Sequence, residues 1–231
     1  MKQLLEIKKY KLLALLLLIS FTSCKKEPKT KNIQAVETSR TGFLPYYNSA
    51  DFTPNWLTPG TKEEKGFHKI PDFNLINQLG DTITQSSFND KIYITDFFFT
   101  SCPGICPQMT DNMFKVQEAF LNDSDVLLLS HSVMPTTDSV AVLKEYAKNY
   151  NVLDNKWYLV TGDKKEIYVL GREHYFVEND LGEPKNSDDF LHTENFLLID
   201  KNKHIRGIYN GLNRASVAQL ITDVKTLQLE M

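Results

Sequence analysis

The chain has few cysteines, no charge dominated by one sign and no apolar run long enough to cross a bilayer. Each deficit removes a class of function. Only three of its 231 residues are cysteine, so there is no second cysteine pair to complete the four-ligand set of a structural zinc site. The formal net charge is -3, and the 26 Lys and Arg residues are scattered except for one cluster near the N-terminus. A nucleic-acid-binding face gathers basic residues on one surface, so no nucleic-acid partner is expected. No internal repeat is visible, and no lone peroxidatic cysteine stands apart from a distant resolving partner. What remains, 42% hydrophobic and 24% charged, is the balance of a globular chain with room for one sizeable core.

The odd cysteine is separated from the other two by its surroundings. Lys2, Lys8, Lys9 and Lys11 form a basic start, followed by the apolar run Leu12 to Ile19. That run is about half of the roughly 20 residues a membrane span needs, so it reads as a signal-peptide core. It leads into Phe21-Thr22-Ser23-Cys24, which resembles a bacterial lipoprotein signal, although Phe21 replaces the usual aliphatic residue. The resemblance implies a signal peptide over residues 1–23 and a lipid anchor on Cys24. The protein is then held on the extracytoplasmic, periplasmic side of a bacterial membrane. Cys102 and Cys106 remain as the only thiol pair, in a compartment where a pair becomes a disulfide, a redox couple or a metal site.

The polar, basic stretch Lys25 to Lys31 suits a tether. Residues 41–66 mix Phe43, Leu44, Tyr46, Tyr47, Phe52 and Trp56 with several prolines. This arm is expected to lie across the domain without regular structure, completing a segment of 24–66 before a compact domain of 67–231. In that domain a hairpin is centred on Gly80, and the β-prone run Lys91 to Thr100 predicts a buried central strand. The positions Met109, Met113, Val116, Ala119 and Phe120 share one face of a helix starting at Pro107. Further strands are expected at Val126 to Val133, Trp157 to Val160, Asn195 to Ile199 and His204 to Tyr209. Helices are expected from an Asp138 N-cap to Tyr150 (apolar face Val142, Leu143, Tyr146), from an Asp163 cap to near His174, and along Val217 to Leu227. Strands alternating with helices and closing on a hairpin plus helix predict an α/β, thioredoxin-like fold with an extra N-terminal hairpin and an inserted helix.

Cys102 and Cys106 sit at the junction of the central strand and the following helix. On a helical turn, Cα atoms four apart lie about 6 Å from each other, within disulfide range. A helix N-terminus also favours the thiolate, which is both nucleophile and metal ligand. A structural disulfide, a redox pair and a metal site all stay open on these residues alone. Three intervening residues depart from the two of thioredoxin-type reductants, and two soft thiolates with an imidazole would suit copper, Cu(I) in particular.

The run Asp96-Phe97-Phe98-Phe99-Thr100-Ser101-Cys102-Pro103-Gly104-Ile105-Cys106-Pro107 resembles the signature of the SCO/SenC family, copper-binding assembly factors for cytochrome c oxidase. The resemblance spans roughly Ile70 to Leu227. It includes Ser132-Val133-x-Pro135, Leu159-x-Thr161-Gly162 and the run from His192 to Asp200. It implies that His192 joins Cys102 and Cys106 in binding one copper ion, as Cu(I) or Cu(II). The implied activity is a metallochaperone, rather than an enzyme, serving the dinuclear copper centre on the copper-site subunit of the oxidase. A thiol-disulfide reductase and a copper or redox sensor would use the same cysteine pair. Of the other histidines, His68 and His204 are expected at the surface, His174 at a helix end, and His131 near the end of a strand that leads toward the site, more as a structural residue than as an influence on it. Met134 stands where the family commonly carries an acidic residue. The charged loop from Val177 to Leu191, with Glu178, Asp180, Glu183, Asp188 and Asp189 against Lys185, is expected to be solvated.

Overall fold

The computed structural model describes residues 42–178 and 190–230. Cys24, with the signal and tether segments, and the residues of the charged loop from Asp180 to Asp189, lie outside the described residues. A one-turn helix α1 (Lys62–Lys65) precedes the hairpin β1 (Asn74–Asn77) and β2 (Thr82–Thr84), turned at Gly80 with φ +88°. Then follow β3 (Ile92–Phe98), α2 (Cys106–Ala119), β4 (Val126–Ser132), α3 (Val140–Asn149) and β5 (Trp157–Thr161). Helix α4 (Lys164–Val169) runs on as wider π-type turns over Leu170–His174, and β6 (Asn195–Ile199), β7 (Ile205–Asn210) and α5 (Arg214–Glu230) complete the order.

The strands form one seven-stranded sheet in the order β2-β1-β5-β4-β3-β6-β7. Its centre, β3-β4-β5, is parallel, and β1, β6 and β7 join antiparallel. This is the α/β, thioredoxin-like architecture, with the extra hairpin added beyond β5. Every residue of β3 and β4 is buried, because both faces of the sheet are covered, and that accounts for their unbroken apolar runs. On one face Ile92, Ile94 and Phe98 pack with Met109 and Met113 of α2, Leu143 of α3 and Leu220 and Val224 of α5. On the other, Tyr93 and Phe97 pack with Phe73, Leu75, Ile167, Leu170 and Tyr175.

Register decides what meets at the end of β3. Tyr93 pairs with Ile199 and Thr95 with Leu197, so β6 starts beside the C-terminal end of β3. The residues entering β6 therefore approach those leaving β3. The turn Asp200 to Lys203 lies at the opposite end of the sheet.

Several local expectations need correcting. Asp138 does not cap α3; the cap is Ser139, whose hydroxyl accepts from the Val142 N–H. Asp138 is instead drawn into the interior by stronger partners, described below. Val142 is 38% exposed, and the buried face of α3 is Leu143, Tyr146 and Ala147. His204 is fully buried, because the arm covers the β6–β7 hairpin. Its Nδ1 lies 2.8 Å from the His68 carbonyl, and its Nε2 lies 2.9 Å from Glu64 Oε1, off-axis for a good hydrogen bond. His68 is half-buried, its Nε2 2.8 Å from the His174 carbonyl. The arm holds more structure than expected. Besides α1, it makes single bridges from Tyr46 to Asn55 and from Tyr47 to Ile205. The buried guanidinium of Arg206 clasps it by donating to the carbonyls of Leu44 and Pro45 and to the carboxylates of Asp200 and Glu230.

Candidate metal and redox site

The polypeptide leaving β3 turns through residues 99–105 and enters α2 at Cys106. Cys106, not Pro107, is the first helical residue, and Cys102 lies before the helix. The two sulfurs therefore do not share one helical turn. The N–H groups of Cys106, Gly104 and Ile105, together with the Cys106 thiol, converge on the Cys102 sulfur. Burial alone would push the Cys102 thiol up; these donors outweigh it and hold its pKa below the usual value. Cys106 is buried, and that burial pushes its thiol up to about 12; a hydrogen bond from Phe99 N–H opposes the shift, while Cys102 and Asp96 add to it. Both cysteines carry free thiols, so the pair comprises one partly exposed sulfur that ionises more easily than usual and one buried sulfur that resists ionisation.

His192 enters from the other side, on the segment leading into β6. Cys102, Cys106 and His192 line one cavity of about 540 Å³, walled by Phe97, Phe98, Phe99, Ile105, Val133, Phe190 and Leu191. Phe99 and Phe190 meet edge to face at 5.2 Å across it. The His192 side chain is exposed, and its Nδ1 is 3.4 Å from the Phe190 carbonyl. Its backbone N–H donates to Glu178, whose carboxylate is ion-paired with Arg172 at 2.8 Å. Glu178, expected in a solvated loop, is thus buried. Among the described residues, no three His, Cys, Asp or Glu side chains stand close enough together to hold a metal ion. The imidazole shares the pocket of the two sulfurs and must move toward them to complete a three-ligand set.

Three residues that sequence reasoning passed over shape this pocket. Asp138, fully buried, accepts from the Thr100 N–H at 3.1 Å, the Thr100 hydroxyl at 2.5 Å and the Ser132 hydroxyl at 2.6 Å. It thereby pins the cysteine loop to the end of β4. Asp96 sits inside β3 with its Oδ1 unpartnered among the described residues. Burial raises its pKa to about 7, against a hydrogen bond from Ser130. A carboxylate within a β-prone run was the available signal, since charged residues are rarely fully buried. Gly171 lies where an added Cβ would come within 2.6 Å of Leu191 and 3.1 Å of Phe97, so its bareness lets the His192 segment pack close.

His131 lies on the sheet face away from Cys106. It stacks at 4.6 Å on Phe97, the pocket wall, and burial pulls its pKa down to about 4. Met134 packs on the same remote face, its N–H donating to Ser132 Oγ, and its side chain does not line the pocket.

A family model described as SCO1/SenC matches residues 61–228. The SCO1 protein homolog of Bacillus subtilis (strain 168) is 29% identical over 161 residues, covering 69% of this chain and 82% of that protein. Among solved structures, a SCO1/SenC family lipoprotein from Bacillus anthracis str. Ames aligns with a TM-score of 0.61 at 28% identity, covering 70% of this chain and 95% of that one. Arabidopsis thaliana ScoI with copper bound aligns with a TM-score of 0.52 at 26% identity, covering 69% of this chain and 96% of that one.

Proposed function

The chain belongs to the SCO1/SenC family, and from that membership and the geometry of its thiol pocket we propose that it is a membrane-tethered copper metallochaperone. Its cargo would be one copper ion, carried by Cys102, Cys106 and His192 and delivered to the dinuclear copper centre on the copper-site subunit of a cytochrome c oxidase. The lipid on Cys24 would hold it at the periplasmic face. One observation carries the reading: two free, hydrogen-bonded thiols and an exposed imidazole open into the same apolar cavity. Two sulfurs and one imidazole are donors that suit copper, and the copper-bound relative has the same fold. The aromatic walls limit water, which strengthens soft metal–sulfur bonding against hydration.

Loading must displace a proton from each thiol. Cys102 gives up its proton first, because its sulfur is already surrounded by N–H donors. Cys106 would ionise only as the positive charge of the ion arrives, because burial otherwise holds its proton in place. Competition from the proton at Cys106 and the exposure of His192 would let a partner with better donors take the ion from the three-ligand set.

The test is transfer. Domain loaded with copper is mixed with an apo copper-site subunit, and copper transfer is scored beside the thiol content of that subunit. Copper arriving without net change in the subunit's thiols supports the metallochaperone. Replacing His192 with Ala should lower copper affinity by at least tenfold while changing the unfolding free energy in urea by less than about 0.5 kcal/mol, as for other exposed side chains. Unchanged copper content in that variant would remove His192 from the ligand set.

A second reading, a thiol-disulfide reductase acting on the oxidase's cysteines, draws on the asymmetry of the pair. An accessible low-pKa thiol beside a buried high-pKa one is the arrangement of attacking and resolving sulfurs. Disulfide reduction in the subunit without copper movement would favour it. In either reading Cys102 and Cys106 would form a disulfide when oxidised.

A further inference from the structure

The arm carries an apolar feature that the thiol pocket does not explain. Phe43 and Trp56 are 45% and 54% exposed, and their rings meet edge to face at 5.4 Å. With Leu57 and Pro59 they line a shallow cavity of about 330 Å³ that also includes Glu230. The Glu230 carboxylate is turned inward to Arg206 and to the Leu44 N–H, so the ion pair masks its charge. Two aromatic side chains in contact with each other and left in water, on an arm clasped by Arg206, call for a covering surface.

Position indicates which surface. The arm is held at the turn end of the β6–β7 hairpin and at the C-terminal end of α5, through Tyr47 to Ile205, Arg206 to Leu44 and Glu230 to Leu44. The thiol pocket is at the other end of the sheet, where α5 begins: Asn112 and Gln108 of α2 bond the carbonyls of Gly211 and Leu212. The chain leads into the exposed pair at Gly42, 18 residues after Cys24. A chain of that length extends no further than about 60 Å, and it carries Lys25, Lys26, Lys29 and Lys31, which are attracted to anionic headgroups. Trp and Phe are residues that settle at a bilayer interface.

We infer that the Phe43–Trp56 edge of the arm rests in the lipid interface and turns the thiol pocket away from the membrane. The inference rests on the lipid-anchor reading of Cys24. Alone the patch is too small to bind a membrane firmly. A tether of this length makes the contact intramolecular, at an effective concentration on the order of millimolar, so a weak contact is populated. The thiol pocket then faces the aqueous side, where the copper-site domain of a membrane-bound partner would be met.

The chain's two tryptophans make the test specific, because Trp157 is 1% exposed in the core and serves as an internal control. The full acylated apo chain is reconstituted into vesicles of phosphatidylethanolamine and phosphatidylglycerol, with and without brominated acyl chains, and flotation is scored beside tryptophan emission. Expected are co-flotation, quenching by brominated lipid with a shift to shorter wavelength, and loss of both effects in Trp56→Phe, whose remaining Trp157 emission is unquenched. Co-flotation with no quenching of Trp56 overturns the inference and leaves the anchor standing. No co-flotation overturns the anchor and the inference together. Unquenched Trp56 emission that shifts with protein concentration assigns the patch to a second copy of the chain, which also overturns it.

Discussion

Individual residues in this protein depart from their ordinary chemistry chiefly because of where burial puts them. The Cys102 and Cys106 thiols differ in the sense their surroundings impose: N–H donors lower the first and burial raises the second to about 12. In reduced protein near neutral pH, iodoacetamide should therefore label Cys102 alone, with Cys106 resisting until the fold is lost. Mass spectrometry of timed samples reads this, and equal labelling of both would contradict the assigned asymmetry. Asp96 gives a separate signature. Its pKa is about 7 in the folded chain against about 3.9 unfolded, so folding favours its protonated form. The advantage is complete below about pH 4 and is lost as pH rises through 7, at most about 4 kcal/mol across that window by linkage. His131, held near 4 by burial, acts oppositely, its contribution fading as pH falls from about 6.5. Asp96→Asn should therefore match the wild type near pH 4 and gain on it progressively up to pH 8 in urea unfolding. A stability difference independent of pH would show that Asp96 is not the titrating group.

At the scale of elements, the site is assembled by the approach of two segments, the loop after β3 and the run into β6. Antiparallel pairing of Thr95 with Leu197 brings their ends together, and Asp138 ties the first segment to β4. Gly171, in the π-type turns after α4, permits the second to close. Gly171→Ala gains about 0.5–1 kcal/mol of intrinsic helix preference but crowds Leu191 and Phe97, both fully or nearly fully buried. Overpacking of this kind costs about 1–3 kcal/mol, so a net loss near 1 kcal/mol is expected. Copper affinity should also fall, although no candidate ligand is altered. Thermal unfolding and copper titration of the same variant check both; a more stable variant with unchanged affinity would show that the contact is slack. The elements themselves were legible in the sequence, because continuous apolar runs and helical spacing survive any packing. Their caps were less so: Asp138 has the composition of an N-cap, and only the nearness of Thr100 and Ser132 draws it away.

On the scale of the whole molecule, the described domain has its thiol pocket at one pole and its arm at the other. Cys24→Ser should make the protein extractable from membranes by alkaline carbonate, whether its signal segment is removed or left unprocessed, since Leu12 to Ile19 is too short to span a bilayer. Fractionation with alkaline carbonate checks this, and integral membrane association of the Ser variant would argue for an uncleaved helix. The sequence by itself determined the order of strands and helices, the α/β thioredoxin-like class and the cysteine pair at a strand-to-helix junction. Those features depend on periodicity and neighbours along the chain, and the motif around Cys102 was enough to suggest the family. Only the tertiary structure decided that Cys102 stands outside the helix and Cys106 within it, and that His204 is buried. It also decided that His131 and Met134 face away from the thiols and that Asp96, Asp138 and Gly171 shape the pocket. Each of these depends on contacts between residues far apart in sequence, where burial and partner choice, set by the register of β3 against β6, override what local composition prefers.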